Sequence, residues 1–185
     1  MKLGVNIDHI ATLRNARGLN SPSILRALKE CEKNHVDTIT VHLREDRRHI
    51  SDSYLRELKK NSKTQINIEM ALTKEIIISA FVNPDKKMIL LAKKLGFHAV
   101  EIHTGALDKL NINKKKLNNI NNMIKFAHSI ELVVNIGHGL NFNNIKLIKN
   151  KKIIDTVHIG HFIISEAIFL SLSKTIKKFQ HLIKS

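Results

Sequence analysis

The sequence predicts an α/β fold: parallel strands closed as a TIM-type (β/α) barrel, with helices outside and a polar mouth at one end. Three observations lead there. Short strand patterns alternate with amphipathic helical ones along the whole chain. Each strand keeps one apolar parity and one polar parity. The polar residues also collect towards the strands' C-terminal ends, where such barrels carry their chemistry. Alternation taken alone suggests an antiparallel sheet with one wet face. The intervening helices must pack on the apolar parity, however, so closure turns the polar parity inward.

The elements follow in order. Strand patterns cover Leu3–Asp8, Thr38–Arg44, Gln65–Met70, Ala99–His103, Leu132–Ile136 and Ile154–Ile159. Their apolar faces carry Val5/Ile7, Ile39/Val41/Leu43, Ile66/Ile68/Met70, Val100/Ile102, Val134/Ile136 and Val157/Ile159. The opposite faces carry Asn6/Asp8, Thr40/His42/Arg44, Asn67/Glu69, Glu101/His103, Asn135 and Thr156/His158. Amphipathic stretches lie near 22–34, 51–60, 84–95, 114–129 and 142–149, with a last one near 163–184. No linker or low-complexity segment divides the chain, so residues 1–185 read as a single domain.

Composition bounds the function. The chain has 185 residues, 43% of them apolar, which is enough for one packed core. No apolar run approaches the roughly 20 residues of a membrane span, and the start "MKLGVNIDHI" lacks the pattern of a secretory signal. A single cysteine, Cys31, excludes an internal disulfide framework and fits a reducing cytoplasm. Cys31 reads as a packed or surface thiol, not a nucleophile. The 31 Lys+Arg against 16 Asp+Glu leave a charge of +15. A nucleic-acid or membrane surface would explain it, and so would a compositional bias towards Lys, Asn and Ile. In "DKLNINKKKLNNINNMIKF" the apolar Leu117, Ile120, Ile124 and Ala127 keep helical spacing, so the lysines are the wet side of an ordinary helix. With 4% aromatic residues there is little platform for bases. Bias is the preferred reading, with no specific nucleic acid and no membrane as partner.

The loops and strand ends carry the chemistry. "NIGHGL" (Asn135–Leu140) and "HIGHFI" (His158–Ile163) both end a strand with Gly-His, at the last two strands, where barrels often hold phosphate. Glycine permits close backbone approach, and a following helix offers free amides. His42, Glu69 and Glu101 face the lumen, and His138 joins them from a loop. Carboxylates and imidazoles together suit multistep proton transfer. A metal site is the weaker reading, because no helix carries a two-His zinc spacing and the candidates lie one per strand end. His35, His128 and His181 read as surface residues.

"GVNIDHIATLRNARG" (Gly4–Gly18), "TVHLREDRRHI" (Thr40–Ile50), "NIEMA" (Asn67–Ala71), "EIHTG" (Glu101–Gly105), "NIGHGL" and "IGHFII" closely resemble, in order, the pyridoxine 5′-phosphate synthase family of vitamin B6 biosynthesis. The resemblance implies condensation of 1-deoxy-D-xylulose 5-phosphate with 3-amino-2-oxopropyl phosphate, releasing phosphate and water, with no metal or organic cofactor. It implies His42 and Glu69 as bases, His138 as acid and Glu101 as stabiliser of a transition state. Asn6, Arg17, Gly139, Gly160 and His161 would hold the amino-ketone phosphate; Asp8, His9, Arg44 and His49 would hold the deoxyxylulose phosphate. Glu45, Asp46, Arg47 and Arg48 would only shape or solvate their loop. The family forms symmetric oligomers, so a homo-oligomer is expected.

The departure from the family is equally informative. A (β/α)₈ barrel typically needs about 250 residues. Here the chain runs from the third strand to the family's sixth with too little sequence between. The fourth strand, its helix and the loop over the deoxyxylulose phosphate are missing, which leaves a barrel reduced to six or seven strands. Thr73–Ala80 is then the third helix, or Ile77–Val82 is the family's fifth strand. Missing strands expose sheet edges. Two classes of function follow: a working synthase with a reduced barrel, or an impaired remnant that keeps phosphate binding or serves as a basic binding protein.

Overall fold

The computed structural model describes residues 1–18, 21–44, 46, 48–69, 79–108, 112–149 and 151–184, with the Arg17 side chain also outside this set. In chain order the elements are β1 (Lys2–Asn6), α1 (Asp8–Arg17), α2 (Ile24–Lys33), β2 (Thr38–His42), α3 (Asp52–Asn61), β3 (Gln65–Glu69), β4 (Ser79–Val82), α4 (Lys86–Lys94), β5 (Ala99–His103), α5 (Lys114–Ser129), β6 (Val133–Gly137), β7 (Thr156–Ile159), α6 (His161–Leu170) and α7 (Leu172–Lys184). Side chains cap the helices where the sequence offers them. Ser23 accepts from the Arg26 amide, Ser51 from Tyr54, Asp85 from Lys87 and Met88, and Asn113 from Lys115 and Lys116.

The chain packs as two compact units. A terminal unit joins Leu3–Thr73 with Gly160–Gln180, and a central unit joins Lys74–Ile159 with the two chain ends. In the terminal unit β1, β2 and β3 pair in parallel, with Asn6, Thr40 and Asn67 level with one another and His42 level with Glu69. In the central unit β4, β5, β6 and β7 pair in parallel. Phe81, Glu101 and Asn135 share one level there, and His103, Gly137 and His158 the next. Residues level with each other in parallel strands project to the same face, so the parity read from the sequence sets both polar rows. The apolar parity is buried: Val5, Ile39, Val41, Val100, Ile102, Ile136 and Val157 are fully enclosed. The helices bury matching stripes, Ile24, Ala27, Leu28 and Cys31 on α2 and Ile120, Ile124 and Ala127 on α5. Cys31 is therefore a packed thiol, and burial pushes its pKa up to about 12. His35, His128 and His181 are exposed, as expected. The fold class is α/β of the TIM type, reduced to seven strands among the described residues.

Several boundaries differ from the sequence reading. The first strand stops at Asn6, and α1, which the pattern did not reveal, begins at Asp8. The Asn6 side chain accepts the Asp8 amide at 2.8 Å and turns the chain out of the strand. Residues 142–149 form a short 3-10 turn, Asn144–Leu147, in place of a helix. The stretch 163–184 is two helices, broken at Ser171, where φ is +77°. Ser79–Val82 is a strand, which favours the second reading of that region; residues 73–78 lie outside the described residues.

Candidate active site

In the terminal unit a chain of polar contacts crosses the strand ends. Asp8, the first residue of α1, is buried at 2% exposure, and its Oδ1 accepts the His42 backbone amide at 2.9 Å. Its Oδ2 is paired with His42 Nδ1, and His42 Nε2 is paired with Glu69 Oε2. Asn6 Oδ1 holds the Asp8 amide, which directs Asn6 Nδ2 to within 3.1 Å of the same His42 Nδ1. A carboxylate is the stronger partner, so Nδ1 donates to Asp8. Burial disfavours charge on His42, yet the hydrogen bonds to Asp8 and Glu69 outweigh it and raise its pKa to about 10. At neutral pH the ring is an imidazolium held between two carboxylates.

Three further imidazoles gather in the same unit. The His9 ring stands edge-on to His161 at 5.1 Å between centroids and lies 6.4 Å from His49. Burial, then the neighbouring His161, lowers the His9 pKa, and its buried Nδ1 has no hydrogen-bond partner among the described residues. His161 opens α6 directly after Gly160. A Cβ at Gly160 would stand 2.9 Å from Asn6 Cβ, so only glycine lets this helix end approach the strand. Imidazoles, a helix N-terminus and the exposed Arg44 in the loop after β2 make a region suited to an anion.

In the central unit Glu101 is buried on β5 with its carboxylate over Gly137, where a Cβ would come within 2.0 Å of Oε1. His158 Nε2 lies 3.9 Å from Glu101 Oε2, and both residues are buried. His138 is exposed and sits at φ +72°, followed by Gly139 at +68°. A non-glycine residue in that region is strained and has to be held there. The buried Thr104 does this. Its amide donates to the Gly137 carbonyl at 2.8 Å, and its hydroxyl lies 2.7 Å from the carbonyls of Gly137 and His138. The His138 ring then lies 4.6 Å from the His103 ring. Among the described residues no three His, Cys, Asp or Glu side chains are grouped to hold a metal ion.

The sequence profile of the pyridoxal phosphate biosynthesis protein PdxJ matches residues 3–78 and 73–185. The chain belongs to the PdxJ family. Pyridoxine 5′-phosphate synthase of Geobacter sp. (strain M21) is 34% identical over 235 positions that cover 99% of this chain and 98% of that protein. The synthase of Geotalea daltonii is 35% identical with the same coverage. An alignment of 235 positions against 185 residues leaves at least 50 positions without a counterpart in this chain. The two profile matches meet at 73–78, which puts the missing PdxJ segment there. Among solved structures, N-(5′-phosphoribosyl)anthranilate isomerase from Pyrococcus furiosus superposes with a TM-score of 0.53 at 17% identity, over 100% of this chain and 98% of that one, a likeness of fold.

Of the residues the PdxJ resemblance singles out, Asn6, Asp8, His9, His42, Arg44, His49, Glu69, Gly160 and His161 belong to the terminal unit. Glu101, His138 and Gly139 belong to the central unit. The Arg17 side chain, Glu45 and Arg47 lie outside the described residues. Sequence reasoning did not single out Thr12, Asn15, Thr104 or the pairing of His158 with Glu101. The only signal for Thr12 was its place one helical turn after Asp8, and this needed α1 to be recognised.

Proposed function

We propose that this chain is a pyridoxine 5′-phosphate synthase that condenses 1-deoxy-D-xylulose 5-phosphate with 3-amino-2-oxopropyl phosphate to pyridoxine 5′-phosphate, phosphate and water. The observation that carries the reading is the Asp8–His42–Glu69 chain, an acid–base assembly in a member of the PdxJ family. Condensation and ring closure need protons moved repeatedly between carbon, oxygen and nitrogen, and positioned side chains of this kind supply that. Glu69 accepts a proton directly. His42 starts as an imidazolium, so it serves as a base only after passing its proton to a flanking carboxylate. His138 is the acid, and Glu101, buried over Gly137, faces developing positive charge. Asn6, Arg17, Gly139, Gly160 and His161 take the amino-ketone phosphate. Asp8, His9, Arg44 and His49 take the deoxyxylulose phosphate. The enzyme works in the cytoplasm as a homo-oligomer.

The test is direct: purified protein is given both substrates, and pyridoxine 5′-phosphate is measured by chromatography. His42→Ala is expected to lower turnover by about 10² to 10⁴. A folded parent that makes no product overturns the reading. Equal turnover in His42→Ala overturns the assignment of His42.

A further inference from the structure

Thr12 occupies a position whose single hydroxyl hydrogen decides how His49 can bind an anion. Its Oγ1 lies 3.0 Å from the Asp8 carbonyl oxygen and 2.6 Å from His49 Nδ1. The carbonyl can only accept, so the hydroxyl hydrogen goes to Asp8. The second contact is then a hydrogen bond only if His49 Nδ1 carries a hydrogen and donates to Thr12 Oγ1. One turn on, Asn15 fixes the loop backbone: Nδ2 donates to the carbonyls of Arg48 at 3.1 Å and His49 at 3.0 Å. Thr12 and Asn15 share a face of α1 and hold His49 by its ring and by its main chain.

We infer that Thr12 and Asn15 are positioning residues that lock neutral His49 in the Nδ1–H tautomer, so that binding a phosphate ester at Nε2 requires uptake of one proton. The inference deepens the proposed function, resting on His49 as a ligand of the deoxyxylulose phosphate. In the Nδ1–H tautomer Nε2 presents a lone pair, which repels a phosphate dianion. A hydrogen must be present between Nε2 and the phosphate oxygen, on the ring as an imidazolium or on the ester as a monoanion. Among the described residues, the charged and titratable groups facing His49 are Asp8, which favours its protonation, and Arg44, Arg48, His42 and His9. Burial, then Arg44, Arg48 and His42, outweigh Asp8 and lower its pKa, which favours the neutral ring.

Two measurements test this. The nitrogen NMR shifts of His49 in the free protein are expected to show protonated Nδ1 and bare Nε2. Thr12→Val should mix the tautomers, and Thr12→Ser should restore the parent pattern. Calorimetry with 1-deoxy-D-xylulose 5-phosphate from pH 7 to 9, in buffers of different ionisation enthalpy, should show uptake of about one proton. The Kd should rise about tenfold per pH unit. In Thr12→Val the ring is free to present Nε2–H, so uptake should fall towards zero and the slope should flatten. His9 titrates alike in both proteins, so their difference is the readout. A parent ring already in the Nε2–H form, or shifts and pH slope unchanged in Thr12→Val, overturns the inference. If the parent does not bind the ligand, or His49→Ala binds it equally well, it is the functional reading that falls, while the NMR shifts still decide the tautomer.

Discussion

His42 is an ordinary imidazole made unusual by its two neighbours. Its folded pKa of about 10 stands above the usual 6.5. A raised folded value means that the protonated form favours the folded state. This stabilisation is complete below about pH 6.5 and is lost as pH rises through about 10. Denaturant midpoints should therefore fall across that window. In Asp8→Asn one carboxylate is gone, so the His42 pKa drops and the decline should become shallower. Equal slopes in parent and variant would show that Asp8 does not hold the proton. Asp8 is nearly inaccessible, and its two oxygens are satisfied by the main chain and the ring of His42.

At the scale of elements, what matters is how closely helix and loop ends approach the strands. Gly160 lets α6 start against Asn6, and Asn6 in turn holds Asp8. Gly160→Val should push this helix end away. The expected result is a loss of affinity for the amino-ketone phosphate in calorimetry, with destabilisation of about 1–3 kcal/mol from overpacking. Affinity equal to the parent's would refute the placement of this helix end at the phosphate. Directly after β5, Thr104 clamps the loop that carries His138. Thr104→Val keeps the shape and leaves a buried carbonyl short of a donor, which should cost about 1–3 kcal/mol. Turnover should fall as well, because His138 is released from its left-handed backbone. A variant of lowered stability and parental turnover would confine Thr104 to a structural role.

For the molecule as a whole, the decisive feature is the segment missing at 73–78. Within its own unit β3 pairs only with β2, and β4 only with β5, so each has an edge without a described partner. Phe81 on β4 is 54% exposed. In the PdxJ resemblance the missing part includes the loop over the deoxyxylulose phosphate, a kind of segment that commonly excludes water from reactive intermediates. Restoring it from a PdxJ relative should lower the KM for deoxyxylulose phosphate and raise kcat, with binding of the amino-ketone phosphate nearly unchanged. A restored protein no faster than the parent would show that the deletion does not limit activity. The net charge of +15 should give only weak binding to DNA that declines steeply with salt. Nanomolar, sequence-selective binding at physiological salt would contradict the enzyme reading.

The sequence by itself determined the class of fold, the strand parity that sets His42 level with Glu69 and Glu101 level with Asn135, and the place of the missing segment. These are properties of local pattern: a period of two assigns faces within a strand, and a gap in an ordered set of motifs needs no coordinates. It did not determine where β1 ends, because Ile7 suits a strand and a helix entrance equally; one hydrogen bond from Asn6 to the Asp8 amide settles that. Nor did it reveal the partners of the catalytic candidates. Asp8 and His42 are 34 residues apart, as are Thr104 and His138, and Thr12 and His49 are 37 apart. Such contacts depend on strand register and on the direction in which each helix leaves its strand. Only the tertiary structure sets those, and with them the charge of His42 and the tautomer of His49.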